Sequence, residues 1–403
     1  MSKPSKGHKN ANGEGSIYQR SNGTWAGTAH VLTTDGTRKR KTVYGKTWEE
    51  AHEKLVELKA KSHRGIPAPD RSWKVAEYLR YWLRVYVSEL RPKTAEGYEG
   101  AVRLHLIPGL GNRRLTGLQV QHVRAFLDGF KQKCLCCANE WDKQRRCCSA
   151  GTCCERLPSV RQVQYVHAVL RNALQHAMRE ELLARNVATL VKVTTPRYKV
   201  GKGLPVDQVK SLLKAAQGHR LYALYVVAAT MGLRRGELLG LRWEDVDLDN
   251  GTITIEKTVQ RAGGKLHIQD AKTESSESVL PLPEITRTTL QRHRDDQDKE
   301  RVNLAEAWRE HGLVFPSEIG TPMEPRNLAR HFAGLRERVG ITDVRLHDFR
   351  HTVVTVLMEL GVPPHIVQAI ARHSDVKLTL KIYAHSNLQE MRKALDKLDG
   401  WLS

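Results

Sequence analysis

The chain contains no apolar run approaching the ~18–20 residues that a membrane-spanning helix requires. It also lacks a secretory pattern, because Met1 to Gly15 is polar and holds no apolar stretch. Cysteine is missing everywhere except between residues 134 and 154. There is no internal repeat and no long low-complexity segment. These absences exclude a membrane protein, a secreted disulfide scaffold and a repeat array, and lead us to expect a soluble, cytosolic protein without structural disulfides. Negative charge is short as well: 44 Asp and Glu face 65 Lys and Arg, a formal net charge of +21. Such an excess opposes compaction, so a polyanionic partner is the first expectation. At ~100–200 residues per domain, 403 residues make two to four domains.

The positive charge is unevenly placed. Residues 1–71 hold 14 basic and 7 acidic side chains, residues 72–199 hold 22 and 10, and residues 200–403 hold 29 and 27. A basic first half beside a nearly neutral second half suggests a DNA-gripping part and a separate, catalytic part.

The pattern predicts a multi-domain α+β protein. Domain 1–64, with residues 1–12 disordered, reads as a small three-stranded sheet plus a helix. Strand-like runs at 15–20, 25–31 and 38–44 are separated by Asn22-Gly23 and Asp35-Gly36, which are hairpin signals. Thr47 caps a helix over 48–61. Arg38, Lys39, Arg40 and Lys41 on the third strand suggest a strand face for a DNA groove, although a charged edge strand guarded against pairing would look the same. Domain 72–190 reads as four helices, with residues 107–114 as a loop and 186–203 as a linker. Domain 200–403 reads as mixed and mainly helical, with a small antiparallel sheet. Its strands fall at 252–260 and 265–269, around Gly263-Gly264, and at 279–282.

All seven cysteines, Cys134, Cys136, Cys137, Cys147, Cys148, Cys153 and Cys154, lie in an insertion at 134–154. Cys134 and Cys137 have C-x-x-C spacing, and Cys148 and Cys153 offer a second ligand pair. A polar, loop-like stretch has little apolar material to order it, and a structural zinc ion on four thiolates would supply the missing folding energy. Which four cysteines bind is left open by the spacing, as is the alternative of small reduced side chains in a flexible insertion.

The second half carries the chemistry. MGLRRGELLGLRWEDVDL occupies 231–248, AKTESSESVLPL 271–282, LHDFRHT 346–352, ARHSD 371–375 and KIYAHS 381–386. They hold Arg234, Lys272, His347, Arg350, His373 and Tyr383. Two arginines match the oxygens of one phosphate and would stabilise a pentacoordinate transition state. Histidine moves protons near neutrality, lysine can protonate a leaving oxygen, and tyrosine is a nucleophile once activated. His347 and Arg350 share an i, i+3 face, and Glu237 stands i+3 from Arg234, where it can hold the guanidinium. Singly, each has an ordinary explanation as a solvated charge or a packed ring.

Together, and with GLVFPSEIGTPMEPRNLARHF at 312–332, these segments closely resemble the tyrosine recombinase (phage integrase) family over most of residues 72–400. The resemblance implies an arm-binding domain, a helical core-binding domain and a catalytic domain. It implies that Arg234 and Arg350 clamp the scissile phosphate and that His347 assists proton transfer. His373 takes the His/Trp position, Lys272 is the general acid, Glu237 is a supporting carboxylate, and Tyr383 attacks to form a 3′-phosphotyrosine. No metal or nucleotide cofactor is implied for this chemistry. The implied partners are double-stranded attachment sites and three further copies in a tetramer, docked through the tail stripe Leu388, Met391, Leu395 and Leu398. An excisionase or a host DNA-bending factor is a candidate accessory, and the setting is a bacterial cytoplasm, at the nucleoid. Two departures stand out. Ala371-Arg372-His373 replaces the frequent Leu-Gly-His, putting an extra charge beside the site, and ESSESV follows Lys272 where a basic residue is common. A non-catalytic zinc-containing DNA-binding regulator and a topoisomerase-like relaxing enzyme are the competing readings.

Overall fold

The computed structural model describes residues 15–32, 38–63, 73–139, 153–195, 203–271, 279–373 and 379–380. The chain forms two compact units, residues 1–196 and 197–403. Among the described residues no helix is long and apolar enough to cross a membrane.

The first unit opens with a sheet of β1 (Ser16–Gln19), β2 (Trp25–Leu32) and β3 (Arg38–Gly45), antiparallel in the order 1-2-3. Helix α1 (Trp48–His63) covers one face. Its start is capped in both directions: the Glu50 N–H donates to Thr47 Oγ1, and the Glu50 carboxylate accepts from the Lys46 N–H. Strand alternation then decides which side chains meet the helix. Ile17, Ala29, Val31 and Val43 pack with Leu55 and Leu58.

A helical bundle follows. It contains α2 (Val75–Trp82), α3 (Pro92–Ala101), α4 (Ile107–Leu110), α5 (Val120–Gln132), α6 (Leu135–Ala138) and α7 (Val160–Arg179). The 3.6-residue period of apolar positions is what brings Val163, Val166, Val169, Leu170, Leu174 and Ala177 of α7 into one core with Val75, Leu79 and Trp82 of α2. Tyr78 is fully buried and donates its hydroxyl to the Ala173 carbonyl at 2.9 Å. Ser159 caps α7 through a reciprocal pair with Gln162, a device that stabilises by about 1 kcal/mol. Two expectations need correcting. The 107–114 stretch is not all loop, because Ile107–Leu110 is helical and buries Leu110. The 186–203 linker begins later than its composition suggests, because Val187–Leu190 is a 3₁₀ turn whose Val187 and Ala188 belong to the bundle core. Pro108, Gly109 and Gly111 concealed the first and its shortness concealed the second, and tertiary burial made them.

The second unit is mainly helical: α8 (Val206–Ala216), α9 (Tyr222–Met231), α10 (Arg235–Gly240), α11 (Glu284–Leu304), α12 (Pro325–Arg338), α13 (Asp348–Glu359) and α14 (Pro364–Ala371). It carries two small sheets rather than one. Strands β4 (Val246–Asp247), β5 (Thr252–Thr254) and β8 (Val279–Pro281) form one sheet in the order 4-5-8, and β6 (Lys257–Ala262) and β7 (Lys265–Asp270) form a separate hairpin. The predicted 252–260 strand is therefore broken at Ile255-Glu256, where buried Ile255 joins the core. The hairpin turns on Gly263 and Gly264, both with positive φ. Helix α10 lies so close to β6 that a Cβ on Gly240 would sit 2.8 Å from the Lys257 backbone. Helix α9 is apolar almost all round and forms the centre of this core with Phe315, Leu328, Phe332 and Phe349.

Candidate active site

Helix α9 ends at Gly232, which adopts φ +60°, a left-handed cap that glycine reaches without a Cβ penalty. This turn aims the Gly232 carbonyl at Arg350 Nη1, 2.9 Å away. Buried Leu233 anchors the next step, and Arg234 follows in extended conformation as the N-cap of α10. One helical turn on, Glu237 does two jobs. Its Oε2 accepts the Arg234 backbone N–H at 2.8 Å, and its Oε1 accepts Arg234 Nη1 at 2.6 Å. The i, i+3 spacing read from the sequence is thus an actual ion pair.

The second wall comes from the end of α14. Arg234 Nη2 donates to the Arg372 carbonyl at 3.0 Å, and Arg350 Nη2 donates to the Ala371 carbonyl. The two guanidinium groups are therefore held by consecutive peptide carbonyls, which forces them close together. Their settings differ: the Arg234 side chain is 40% exposed, whereas Arg350 is 3% exposed. His373 is buried, with Nδ1 2.8 Å from Thr379 Oγ1, and its carbonyl accepts from Gln368 Nε2. His347 stands at the N-cap of α13, one turn before Arg350, and is exposed; its ring meets His351 edge-on at 5.1 Å.

Sequence reasoning identified Arg372 as an extra charge but not what it does. Its side chain is 0% exposed and donates from Nη2 to Glu237 Oε2 at 2.6 Å. Its backbone has φ +51°, the left-handed cap of α14. That geometry explains the departure at Ala371-Arg372-His373, since glycine is the residue that such a cap favours. Here the backbone strain of an L-residue is accepted, and the long side chain turns inward to a buried carboxylate. Its own Nε is buried with no hydrogen-bond partner among the described residues.

The electrostatics follow from this crowding. Glu237 is the one carboxylate bonded to any of the three guanidinium groups among the described residues, so two positive charges remain uncompensated. Burial pushes the Glu237 pKa up, but Arg372 and Arg234 outweigh it and hold the carboxyl below its ordinary value. Burial, then Arg234 and Arg372, pull Arg350 down to about 9. Burial, then Arg350 and Arg234, pull His373 down to about 3. Desolvation, His351 and Arg350 pull His347 down to about 4, an effect that solvent on its exposed side weakens relative to buried His373. Both histidines are neutral near pH 7, so each can accept a proton. A cluster with excess buried cation and neutral bases is suited to an anionic oxygen centre.

The structure thus brings together Arg234, Glu237, His347, Arg350 and His373. Lys272 and Tyr383 lie outside the described residues, as do Cys148 and the tail stripe. Of the proposed zinc ligands, Cys134, Cys137 and Cys153 are gathered in one place. The basic run of β3 does not share one face. Arg38 and Arg40 lie on the side away from α1 with Tyr18 and Tyr44, while Lys39 and Lys41 alternate onto the side of Val43. The four basic side chains are therefore split two and two between the faces of the sheet.

Comparison with known proteins agrees with this geometry. The phage integrase family model matches residues 202–390, and the N-terminal SAM-like domain of phage integrases matches residues 74–130. An integrase of Streptomyces ambofaciens is 30% identical over 375 residues, covering 89% of this chain and 88% of that protein. A XerC-like tyrosine recombinase of Caldanaerobacter subterraneus is 26% identical, covering 89% and 91%. Among solved structures, the Tn1549 transposon integrase in complex with a circular intermediate DNA has a TM-score of 0.62 at 20% identity, covering 81% of this chain and all of that one. The lambda integrase tetramer bound to a Holliday junction has a TM-score of 0.53 at 16% identity, covering 94% and 98%. The readings as a regulator without catalysis and as a relaxing topoisomerase give way to these matches. The chain belongs to the phage integrase family and is a site-specific tyrosine recombinase.

Proposed function

We propose that this recombinase integrates a phage or integrative element, and excises it, by exchanging strands between two short attachment sites. The observation that carries this reading is the pair Arg234 and Arg350, held on consecutive carbonyls beside His347 and His373 with one carboxylate for three guanidinium groups. In this reading the scissile phosphate supplies the missing negative charge, and both guanidinium groups bind its non-bridging oxygens. Tyr383 Oη attacks phosphorus, the bond from phosphorus to the 5′ oxygen breaks, and a 3′-phosphotyrosyl ester forms. The tyrosine proton passes to a neutral base, for which His347 and His373 are the candidates. Lys272 protonates the departing 5′ oxygen. The ester keeps the bond energy, so a 5′-hydroxyl from the partner strand attacks it, frees Tyr383 and seals the exchanged strand. The chain's own groups suffice, with neither metal nor nucleotide hydrolysis in the step.

The basic first half binds the DNA. Arg38 and Arg40, on the open face of the N-terminal sheet with Tyr18 and Tyr44, are the arm-site contacts we assign. A tetramer on two paired sites fits the reciprocal exchange, and the apolar stripe Leu388, Met391, Leu395 and Leu398 is the docking segment. The work is done in the bacterial cytoplasm, at the nucleoid. The test is a suicide attachment-site duplex carrying a nick beside the cleavage position. Wild-type protein is expected to form a covalent adduct resistant to denaturant. An adduct undiminished in Tyr383→Phe would overturn the assignment.

A further inference from the structure

Strand exchange makes no use of the cysteines, yet the fold gathers them. Cys134 and Cys137 flank and occupy the short helix α6, and Cys153 and Cys154 open the segment that returns to α7. The Sγ atoms of Cys134, Cys137 and Cys153 all lie within 4.8 Å of one another. The Sγ of Cys154 is 3.7 Å from that of Cys134. Thiolates bound to one zinc ion at ~2.3 Å in a tetrahedron stand about 3.8 Å apart, so the three clustered sulfurs are within about 1 Å of ligand spacing and Cys154 is already at it from Cys134. The two arms of this cluster are already tied by the Leu135 N–H, which donates to the Arg156 carbonyl at 2.8 Å, and Leu135 itself is part of the bundle core. Cys136 and Cys154 both fall outside the three-thiol cluster, but Cys136 is 1% exposed, whereas Cys154 is exposed and reaches Cys134.

We propose that Cys134, Cys137 and Cys153, with Cys154 as the fourth sulfur, bind one structural zinc ion that staples the two ends of the cysteine-rich insertion to the helical bundle. Sulfur-only donors select zinc over magnesium or calcium, which take oxygen ligands. A closed four-sulfur shell leaves no open position for catalysis, so the ion is a fold element and not a participant in cleavage. It would close the loop between residues 137 and 153, whose sequence offers little apolar surface for ordering itself. The role for which a cytosolic chain cannot use a disulfide is thereby filled by a metal.

The test uses the full chain purified under reducing conditions without chelator. About one zinc ion per chain is expected. After chelation in the presence of a thiol reductant, added Co²⁺ should give the visible bands and sulfur-to-metal charge transfer of a tetrahedral thiolate site, and zinc should displace it. Cys134→Ser, Cys137→Ser and Cys153→Ser should each abolish that spectrum, whereas Cys136→Ala should keep it. Since a variant can fail by misfolding, the chelated wild type is also retitrated with zinc, which should raise the melting temperature with saturation at one equivalent. The proposal is overturned by a folded chain with seven reduced thiols and neither zinc nor a tetrahedral cobalt spectrum. It is equally overturned by undiminished metal in the three serine variants, or by recovery of a Cys134–Cys154 disulfide from reducing cytosol.

Discussion

Removing the charge of Glu237 should be more damaging than removing that of Arg372, although they are partners at 2.6 Å. The two ends are not equivalent. Glu237 also holds Arg234 at 2.6 Å, whereas Arg372 is 0% exposed and has Glu237 as its carboxylate partner. In Glu237→Gln a fully buried guanidinium is left without a counter-charge, a change that costs about 3–5 kcal/mol. For a unit of this size each kcal/mol lowers the melting temperature by roughly 2–4 °C, so a drop of about 6–20 °C is expected. In Arg372→Met the apolar stem is replaced by one of similar length and Glu237 keeps Arg234, so the loss should be about 1–2 kcal/mol. The double variant Glu237→Gln/Arg372→Met removes the orphaned charge along with its partner and should recover about 2–3 kcal/mol of the sum of the single losses. Calorimetric unfolding of the full chain, following the transition of the 197–403 unit, measures all four species. Strict additivity would refute the idea that Arg372 is held by Glu237, and an Arg372→Met loss as large as that of Glu237→Gln would refute the asymmetry.

Arg234→Ala and Arg350→Ala should each slow covalent adduct formation by about 10²–10³-fold, as loss of an oxyanion-stabilising donor does, while band-shift affinity for the attachment site stays nearly constant. His373, pulled down to about 3 from an ordinary 6.5, binds its proton more readily in the unfolded chain. Its contribution to stability is therefore complete above about pH 6.5 and is lost as pH falls towards 3, at roughly 1 kcal/mol per pH unit. Urea titrations between pH 7 and 4.5 should show at least that slope, since His347 titrates in the same direction, and His373→Gln should reduce it by roughly 1 kcal/mol per pH unit. Ser159→Ala should cost about 1 kcal/mol of the first unit's stability through loss of the α7 cap, read as a lower urea midpoint at unchanged slope. Finally, Arg38→Ala/Arg40→Ala should reduce the salt dependence of arm-site binding by nearly two phosphate contacts, whereas an equal effect from Lys39→Ala/Lys41→Ala would contradict the assignment of faces.

What the sequence determined by itself was whatever depends on local periodicity and on motif order. Alternation and Asn-Gly placed the N-terminal hairpin between Ser16 and Leu32. The 3.6-residue spacing of Val163, Val166 and Leu170 placed the inward face of α7. The order of Arg234, His347, Arg350 and His373 picked out side chains that the fold brings together, and the i, i+3 spacing foretold the Arg234–Glu237 pair. The tertiary structure decided what depends on partners far along the chain. Whether Ile107–Leu110 coils and whether Val187 is buried are matters of packing against the bundle. Splitting 252–260 between two sheets needs pairing partners at 246–247, 265–270 and 279–281. Above all, no local signal says that Arg372 turns inward. Its meaning comes from a left-handed cap that directs it to a carboxylate 135 positions earlier, so the extra charge beside the site is what sets the carboxylate holding Arg234.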